Sequence, residues 1–135
     1  KMKQEHIVPL SRQASVLIGE VRRFTQGENY VFHQVYNPKM PMSENTMLWA
    51  MYRMGYHSRA TVHGFRATMS TLLNEKGHNP DVIEHLLSHQ EANKVRAAYN
   101  RAEYLSERRT TLQWLADHLD SLKLKAQLKK AVIMS

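Results

Sequence analysis

The sequence predicts a mainly α fold with a small β element near the N-terminus. Apolar residues recur at spacings of three and four along several segments, glycine and proline separate those segments, and one short apolar run stands near the start. A chain of 135 residues, 42% of them apolar, is long enough to bury a hydrophobic core. We therefore expect a globular, mostly helical protein.

The β element is expected in the stretch EHIVPLS, residues 5–11, where Ile7, Val8 and Leu10 form an apolar run. A lone strand leaves its backbone groups unpaired, so this strand would need a partner from residues upstream or from another chain. A second short strand is expected at residues 30–32, in a stretch that two prolines interrupt.

Capping residues and apolar stripes predict the helices. In chain order the predicted helices run from Ser11 to about Gly27, from Ser43 to Gly55, from Thr61 to Gly77, from Asn79 to His89, and from about Tyr104 onward, with a short basic helix or turn at 94–101. Their expected buried faces are Val16, Leu17, Val21 and Phe24; Met47, Met51 and Met54; Val62, Phe65, Met69, Leu72 and Leu73; Val82, Ile83, Leu86 and Leu87; and Leu112, Leu115, Leu119 and Leu122.

The charge balance favours a polyanionic partner. Lysine and arginine outnumber the acidic residues 19 to 12, which gives a net charge of +7 with eight further histidines. Nucleic acid is the first candidate and an anionic membrane surface the second. The chain has no cysteine, which excludes disulfides and thiolate metal sites. No apolar run approaches the length that crosses a bilayer, so we expect a soluble protein.

Metal binding is not expected, although histidines are frequent. His85 and His89 lie four positions apart, a spacing that binds zinc on a helix. A zinc site needs a third ligand and usually a catalytic glutamate, and the stretch reads HLLSH instead. No cofactor is predicted either.

A basic stretch surrounds one tyrosine, Tyr99, with Lys94, Arg96 and Arg101. Taken alone it is typical of a solvated basic helix with a half-buried tyrosine. A second interpretation is chemical, because a tyrosine hydroxyl can attack a DNA phosphodiester and form a covalent phosphotyrosine. Arginine and histidine donors would stabilise the charge that develops on the phosphoryl oxygens, and a lysine would protonate the departing 5′ oxygen.

The order of these residue types is more specific than any one of them. His63 and Arg66 form H-x-x-R at the start of a helix, His89 follows 23 residues later, and Tyr99 ten residues after that. This order resembles the catalytic half of the tyrosine recombinase (phage integrase) family. The stretches HGFRAT, NPDVIE, NKVRAAYNRAEYL and QWLADHL are similar to integrases of prophages and pathogenicity islands, and the resemblance covers roughly residues 1–120.

The resemblance implies a role for each matching residue. His63 would assist proton transfer and contact the phosphate, and Arg66 would hold the nonbridging oxygens. His89 would donate a hydrogen bond to one of those oxygens, and Tyr99 would be the nucleophile. Tyr104 is a weaker competitor for that role, because it lacks the family's spacing from the second histidine.

Two further matches are less complete. The family's hairpin lysine, the general acid, precedes IVPL; Lys1 fits that position and Lys3 is the alternative. Ser88 stands where many relatives have glycine or alanine. The family's first catalytic arginine lies upstream of the lysine and has no counterpart here. We therefore expect 1–120 to be the C-terminal portion of an integrase catalytic domain, followed by a basic amphipathic tail at 121–135, and we expect this fragment alone to be inactive.

The resemblance also implies partners and a setting. These are double-stranded DNA attachment sites, a homo-oligomer on DNA in the full-length protein, no membrane, and the cytoplasm of a bacterial host. The expected reaction is integration or excision of a mobile element through a 3′-phosphotyrosine intermediate. An alternative is a non-catalytic, basic helical DNA-binding module. A third interpretation treats residues 122–135 as a membrane-surface helix.

Overall fold

The computed structural model describes residues 7–25, 29–87 and 104–134. The described residues form five helices: α1 (Arg12–Thr25), α2 (Thr46–Arg53), α3 (Val62–Glu75), α4 (Pro80–Leu86) and α5 (Leu105–Met134). The chain divides into two compact units, a central unit of Ser15–Lys76 and a terminal unit in which Lys1–Ala14 combines with Gly77–Ser135. The prediction of a mainly helical protein is confirmed.

The predicted β elements are not found among the described residues. Residues 7–10 are neither helix nor strand. The strand predicted at 30–32 is wrong, since these residues form no strand and the nearest pairing is an isolated antiparallel bridge between His33 and Pro41. Proline has no N–H to donate, which limits how far such a pairing extends. Two backbone hydrogen bonds of 2.9 Å flank the bridge, from Gln34 N–H to the Met40 carbonyl and from Met42 N–H to the Phe32 carbonyl.

Three helices begin at the predicted capping residues. Ser11 Oγ accepts the N–H of Ala14 at 3.2 Å, Thr61 Oγ1 accepts that of Gly64 at 2.9 Å, and Asn79 Oδ1 accepts that of Asp81 at 3.0 Å. Each bond satisfies an N–H that the helix itself leaves unpaired. These starts depend on residues two or three positions apart, which is why the sequence identifies them correctly.

α2 begins later than predicted but ends as predicted. Ser43 does not cap it; its carbonyl accepts the N–H of Thr46 in a turn that precedes the helix, at 2.9 Å. At the other end Gly55 has φ of +85°, and the N–H of Tyr56 donates to the Met51 carbonyl at 3.0 Å. A left-handed glycine with this bond is the Schellman arrangement that ends many helices.

The core of the central unit is smaller than the apolar stripes predict. Met51 and Leu73 are 5% and 0% exposed, but Met47 and Met54, the other two methionines of the predicted stripe, are largely exposed. The predicted buried face of α1 is wrong, because Phe24 is 86% exposed and none of the helix's residues is buried. An amphipathic pattern indicates which face would be buried; it does not supply the element that covers it.

The core of the terminal unit forms where α4 packs against α5. Val82, Ile83 and Leu87 are buried there, at 1%, 1% and 4% exposure, which confirms the predicted face of α4. On α5 the predicted stripe is half-buried at Leu112 and Leu115 and becomes exposed further along the helix.

α5 is 30 residues long and continues through residue 120 without interruption. The predicted tail at 121–135 is therefore, up to Met134, a continuation of this helix, and the domain boundary remains a prediction. The described side chains of α5 beyond Ser121 are all exposed. In the described part of the chain, no helix combines the length and apolar character that crossing a membrane requires.

Candidate active site

The first two turns of α3 carry two of the predicted catalytic residues. His63 is the second residue of the helix and Arg66 the fifth, so their side chains start from adjacent turns, with Cβ atoms about 5–6 Å apart. His63 is exposed and Arg66 is half-buried. The unpaired N–H groups of a helix start give it a partial positive charge, which favours an anion beside these two side chains.

Arg66 lies on the buried side of α3. It is seven residues before Leu73, the fully buried centre of that side, and seven residues correspond to almost two complete helical turns. Phe65 is eight residues before Leu73, falls off this line, and is 62% exposed, so its predicted burial is wrong. Half-burial is typical of an arginine whose aliphatic stem lies along the protein surface while its guanidinium remains in water.

Two threonines fix the peptide groups of Gly64, which lies between the two catalytic candidates. Thr61 Oγ1 accepts the Gly64 N–H at 2.9 Å, and Thr68 Oγ1 donates to the Gly64 carbonyl at 2.9 Å. A Cβ atom on Gly64 would lie 3.2 Å from Thr61 Oγ1. The absence of a side chain at Gly64 therefore leaves room for the cap that holds the first turn.

The other predicted site residues lie outside the described residues. They are the nucleophile candidate, the second histidine and its neighbour, the two candidate general acids, and the three basic DNA-binding candidates: Tyr99, His89, Ser88, Lys1, Lys3, Lys94, Arg96 and Arg101. Their roles remain predictions.

Tyr104, the competing nucleophile, is engaged by α4. Its ring stacks on His85 with 5.3 Å between ring centroids and 29° between planes. Its hydroxyl donates to Asp81 Oδ2 at 3.5 Å. A carboxylate beside the hydroxyl repels a phosphodiester, so this environment disfavours Tyr104 as the group that attacks DNA.

His85, one of the two histidines with a zinc-like spacing, stacks on Tyr104. Within the described residues, no three histidine or acidic side chains lie close enough together to hold a metal ion.

A further group of contacting rings is centred on Trp114 of α5. Trp114 contacts His78 edge-on at 4.6 Å between ring centroids and stacks on His118 at 5.1 Å. These contacts join the start of α4 to the middle of α5 within the terminal unit.

Arg108 was not predicted as a site residue, and the structure buries it. Its side chain is 6% exposed, and its guanidinium donates to the backbone carbonyl of Ile7. A signal was available, because Arg108 lies four and seven residues before Leu112 and Leu115, on the apolar stripe of α5.

A polar cluster joins the start of α1 to α5 in the terminal unit. Gln13 and Gln113 donate to Asp117 Oδ1 at 2.8 and 2.9 Å, and Arg12 forms a salt bridge with the same oxygen at 3.4 Å. The hydrogen bond from Gln13, with smaller contributions from Gln113 and the Arg12 charge, lowers the pKa of the Asp117 carboxyl.

Comparison with known proteins assigns the family. The phage integrase family matches residues 1–105, which is most of the chain. The chain belongs to this family.

The curated relatives are integrases of phages and prophages. The chain is 45% identical over 124 residues to an integrase of Enterobacteria phage P4, covering 89% of this chain and 28% of the relative. It is 41% identical over 117 residues to a prophage integrase of Escherichia coli, covering 87% of this chain and 28% of that protein. An integrase of Shigella phage Sf6 is 37% identical over 121 residues, covering 89% of this chain and 31% of the relative. The chain thus spans less than a third of the relatives' length. No solved structure matches it significantly.

Proposed function

We propose that this chain is the C-terminal portion, over residues 1–120, of the catalytic domain of a tyrosine recombinase. The longer protein that contains it, the parent recombinase, would integrate or excise a mobile element at double-stranded DNA attachment sites. The observation that carries the proposal is the capped start of α3, which presents His63 and Arg66 from adjacent turns in a chain of the phage integrase family.

The proposed reaction uses only side chains of the protein. The phenol oxygen of Tyr99 attacks the phosphorus, the P–O5′ bond breaks, and the DNA 3′ end becomes esterified to the tyrosine. Arg66 and His89 donate hydrogen bonds to the nonbridging oxygens, whose negative charge increases in the transition state. His63 assists transfer of the phenol proton, and Lys1 gives a proton to the departing 5′ oxygen. The resulting ester keeps the bond energy for rejoining.

DNA binding is proposed to depend on the basic residues near the nucleophile. Lys94, Arg96 and Arg101 would neutralise backbone phosphates, so the affinity of the parent recombinase for DNA should fall steeply as salt rises. We propose that it acts as a homo-oligomer on its attachment sites and, because its substrate is DNA of the bacterial host, in the cytoplasm.

A nicked attachment-site oligonucleotide tests the proposal. A nick on the 3′ side of the scissile phosphate lets the short piece that carries the released 5′ hydroxyl diffuse away after cleavage, so the covalent protein–DNA complex accumulates and separates on a denaturing gel. The parent recombinase should form this complex, and Tyr99→Phe should abolish it. Peptide mapping should place the DNA on Tyr99.

Tyr104→Phe is the matched control, because it removes the same hydroxyl from a tyrosine that is only five residues away. It should retain attachment. Salt-dependent DNA binding without attachment by either wild-type or variant protein would contradict the proposal and favour the non-catalytic DNA-binding module.

The 135-residue chain by itself should not turn over. None of its residues stands where the family has its first arginine, so a donor to the phosphate is lacking, and losing one such donor costs roughly 100- to 1000-fold in rate. Turnover by this chain at the rate of the parent recombinase would refute that expectation.

A further inference from the structure

Arg108 is a buried cation that the proposed chemistry does not use. Its side chain on α5 is 6% exposed, and one guanidinium nitrogen donates to the Ile7 carbonyl. Its Nε is buried and has no hydrogen-bond partner within the described residues. No carboxylate of the described residues lies within salt-bridge distance of it.

Burying this guanidinium costs free energy, and no counter-charge among the described residues offsets that cost. A charge that leaves water without a counter-charge loses solvation, and the burial lowers the pKa of the Arg108 guanidinium. An apolar side chain of similar length would fill the same space without that loss. What the guanidinium provides and an apolar side chain cannot is a donor to the Ile7 carbonyl, 101 positions away in the sequence.

The bonded carbonyl belongs to a segment that has no strand partner among the described residues to hold it. Residues 7–10 are neither helix nor strand, yet Pro9 is buried and Ser11 is 7% exposed at the cap of α1. Arg108 therefore adds a fixed point at Ile7, upstream of these two. Lys1 lies six positions before Ile7, a stretch that spans at most about 20 Å when fully extended. Fixing Ile7 limits the volume that the lysine can reach.

We infer that Arg108 is a positioning residue, whose guanidinium holds Ile7 so that the upstream lysine is directed toward the departing 5′ oxygen. This inference rests on the proposed function, since it assigns Arg108 a part in general-acid catalysis without contact with DNA.

The test separates lost proton donation from lost folding. In a substrate whose bridging 5′ oxygen is replaced by sulfur, the leaving group departs as a thiolate and needs no proton, because thiols are far more acidic than alcohols. A defect in positioning the general acid disappears on the sulfur substrate, whereas a defect in folding or DNA binding affects both substrates.

Arg108→Met in the parent recombinase should slow cleavage of the oxygen substrate by roughly 100-fold, the size expected for a misplaced catalytic group, and leave cleavage of the sulfur substrate within about threefold of wild type. Lys1→Met and Lys3→Met are tested in parallel, and the variant of whichever lysine is the general acid should show the same selective rescue. Arg108→Lys, which keeps the charge but loses the planar guanidinium fork, should fall between.

Arg109→Met is the matched control, because it makes the same substitution at the neighbouring position of α5, where the arginine is exposed. It should cleave both substrates at the wild-type rate. Equal slowing of both substrates by a folded Arg108→Met protein, or no slowing of either, would overturn the inference.

A second variant addresses the acceptor if Arg108→Met does not fold. Incorporating the α-hydroxy acid analogue of valine at position 8 turns the Ile7–Val8 amide into an ester, whose carbonyl is a weaker acceptor, and leaves every side chain intact. This change should again slow cleavage of the oxygen substrate selectively. Equal slowing of both substrates relative to wild type, or no slowing of either, would reject the inference. If wild-type protein attaches to neither substrate, the proposed function itself fails, which distinguishes that outcome from failure of Arg108 alone.

Discussion

The contact between Gly64 and the Thr61 cap predicts a coupling that a double-mutant cycle measures. Replacing glycine by alanine within a helix ordinarily stabilises it by about 0.5–1 kcal/mol, because alanine loses less backbone entropy on folding. At Gly64 the added Cβ would meet Thr61 Oγ1 at 3.2 Å, and this oxygen also accepts the Gly64 N–H at 2.9 Å. The hydroxyl must move away, which weakens the cap.

The expected magnitudes follow from these two opposing effects. Loss of a threonine cap costs about 1 kcal/mol, so weakening it offsets most of the alanine's gain and Gly64→Ala should leave the free energy of unfolding nearly unchanged. In a Thr61→Ala background no oxygen opposes the new methyl group, and Gly64→Ala should stabilise by about 0.5–1 kcal/mol. The coupling should therefore exceed the roughly 0.3–0.5 kcal/mol scatter of independent substitutions.

Urea denaturation followed by far-UV circular dichroism provides the four free energies of the cycle. Thr61→Ser is the control background, because it keeps the accepting oxygen and should again suppress the stabilising effect of Gly64→Ala. If Gly64→Ala had an effect of the same size in the wild-type protein and in the Thr61→Ala variant, the cap and the methyl group would not compete, and the reasoning would be refuted.

Two further predictions concern stability. The pKa of Asp117 is lowered, so its ionised form stabilises the fold at pH values above the ordinary aspartate pKa, near 4, and this contribution is lost as pH falls through the lowered pKa. The difference in melting temperature between wild type and Asp117→Asn should therefore shrink on acidification. A difference that stays constant with pH would contradict the assignment. Leu73→Ala should destabilise by roughly 2–5 kcal/mol, because Leu73 is 0% exposed. Phe65→Ala, at a side chain that is 62% exposed, should cost about 1 kcal/mol or less, and thermal melts with the reverse ranking would reject the structural assignment of the buried face of α3.

The candidate site was predictable where neighbouring residues define it. The H-x-x-R spacing and the Thr61 cap lie within six residues of the sequence, and the structure confirms that they start α3. The half-burial of Arg66 beside an exposed Phe65 was not predicted. It depends on which direction α3 turns toward its core, and one residue corresponds to about 100° of rotation about a helix.

Tyr104, which directly precedes α5, and Arg108 on α5 show the same limit. The place of Arg108 on the apolar stripe of α5 indicates burial but not that its guanidinium reaches Ile7. No neighbour of Tyr104 in the sequence indicates that its ring stacks on His85 of α4. Contacts across such separations depend on how the helices pack, and no local spacing encodes that packing.

The sequence alone determined the helix starts at Ser11, Thr61 and Asn79 and the left-handed stop at Gly55, because each depends on backbone and side-chain groups within a few residues of one another. The ordered histidine, arginine and tyrosine pattern likewise indicated the family without any coordinates. Only the tertiary structure decided which apolar stripes are covered and that Arg108 is buried against residue 7. Burial requires a second surface, and that surface comes from residues distant in the chain.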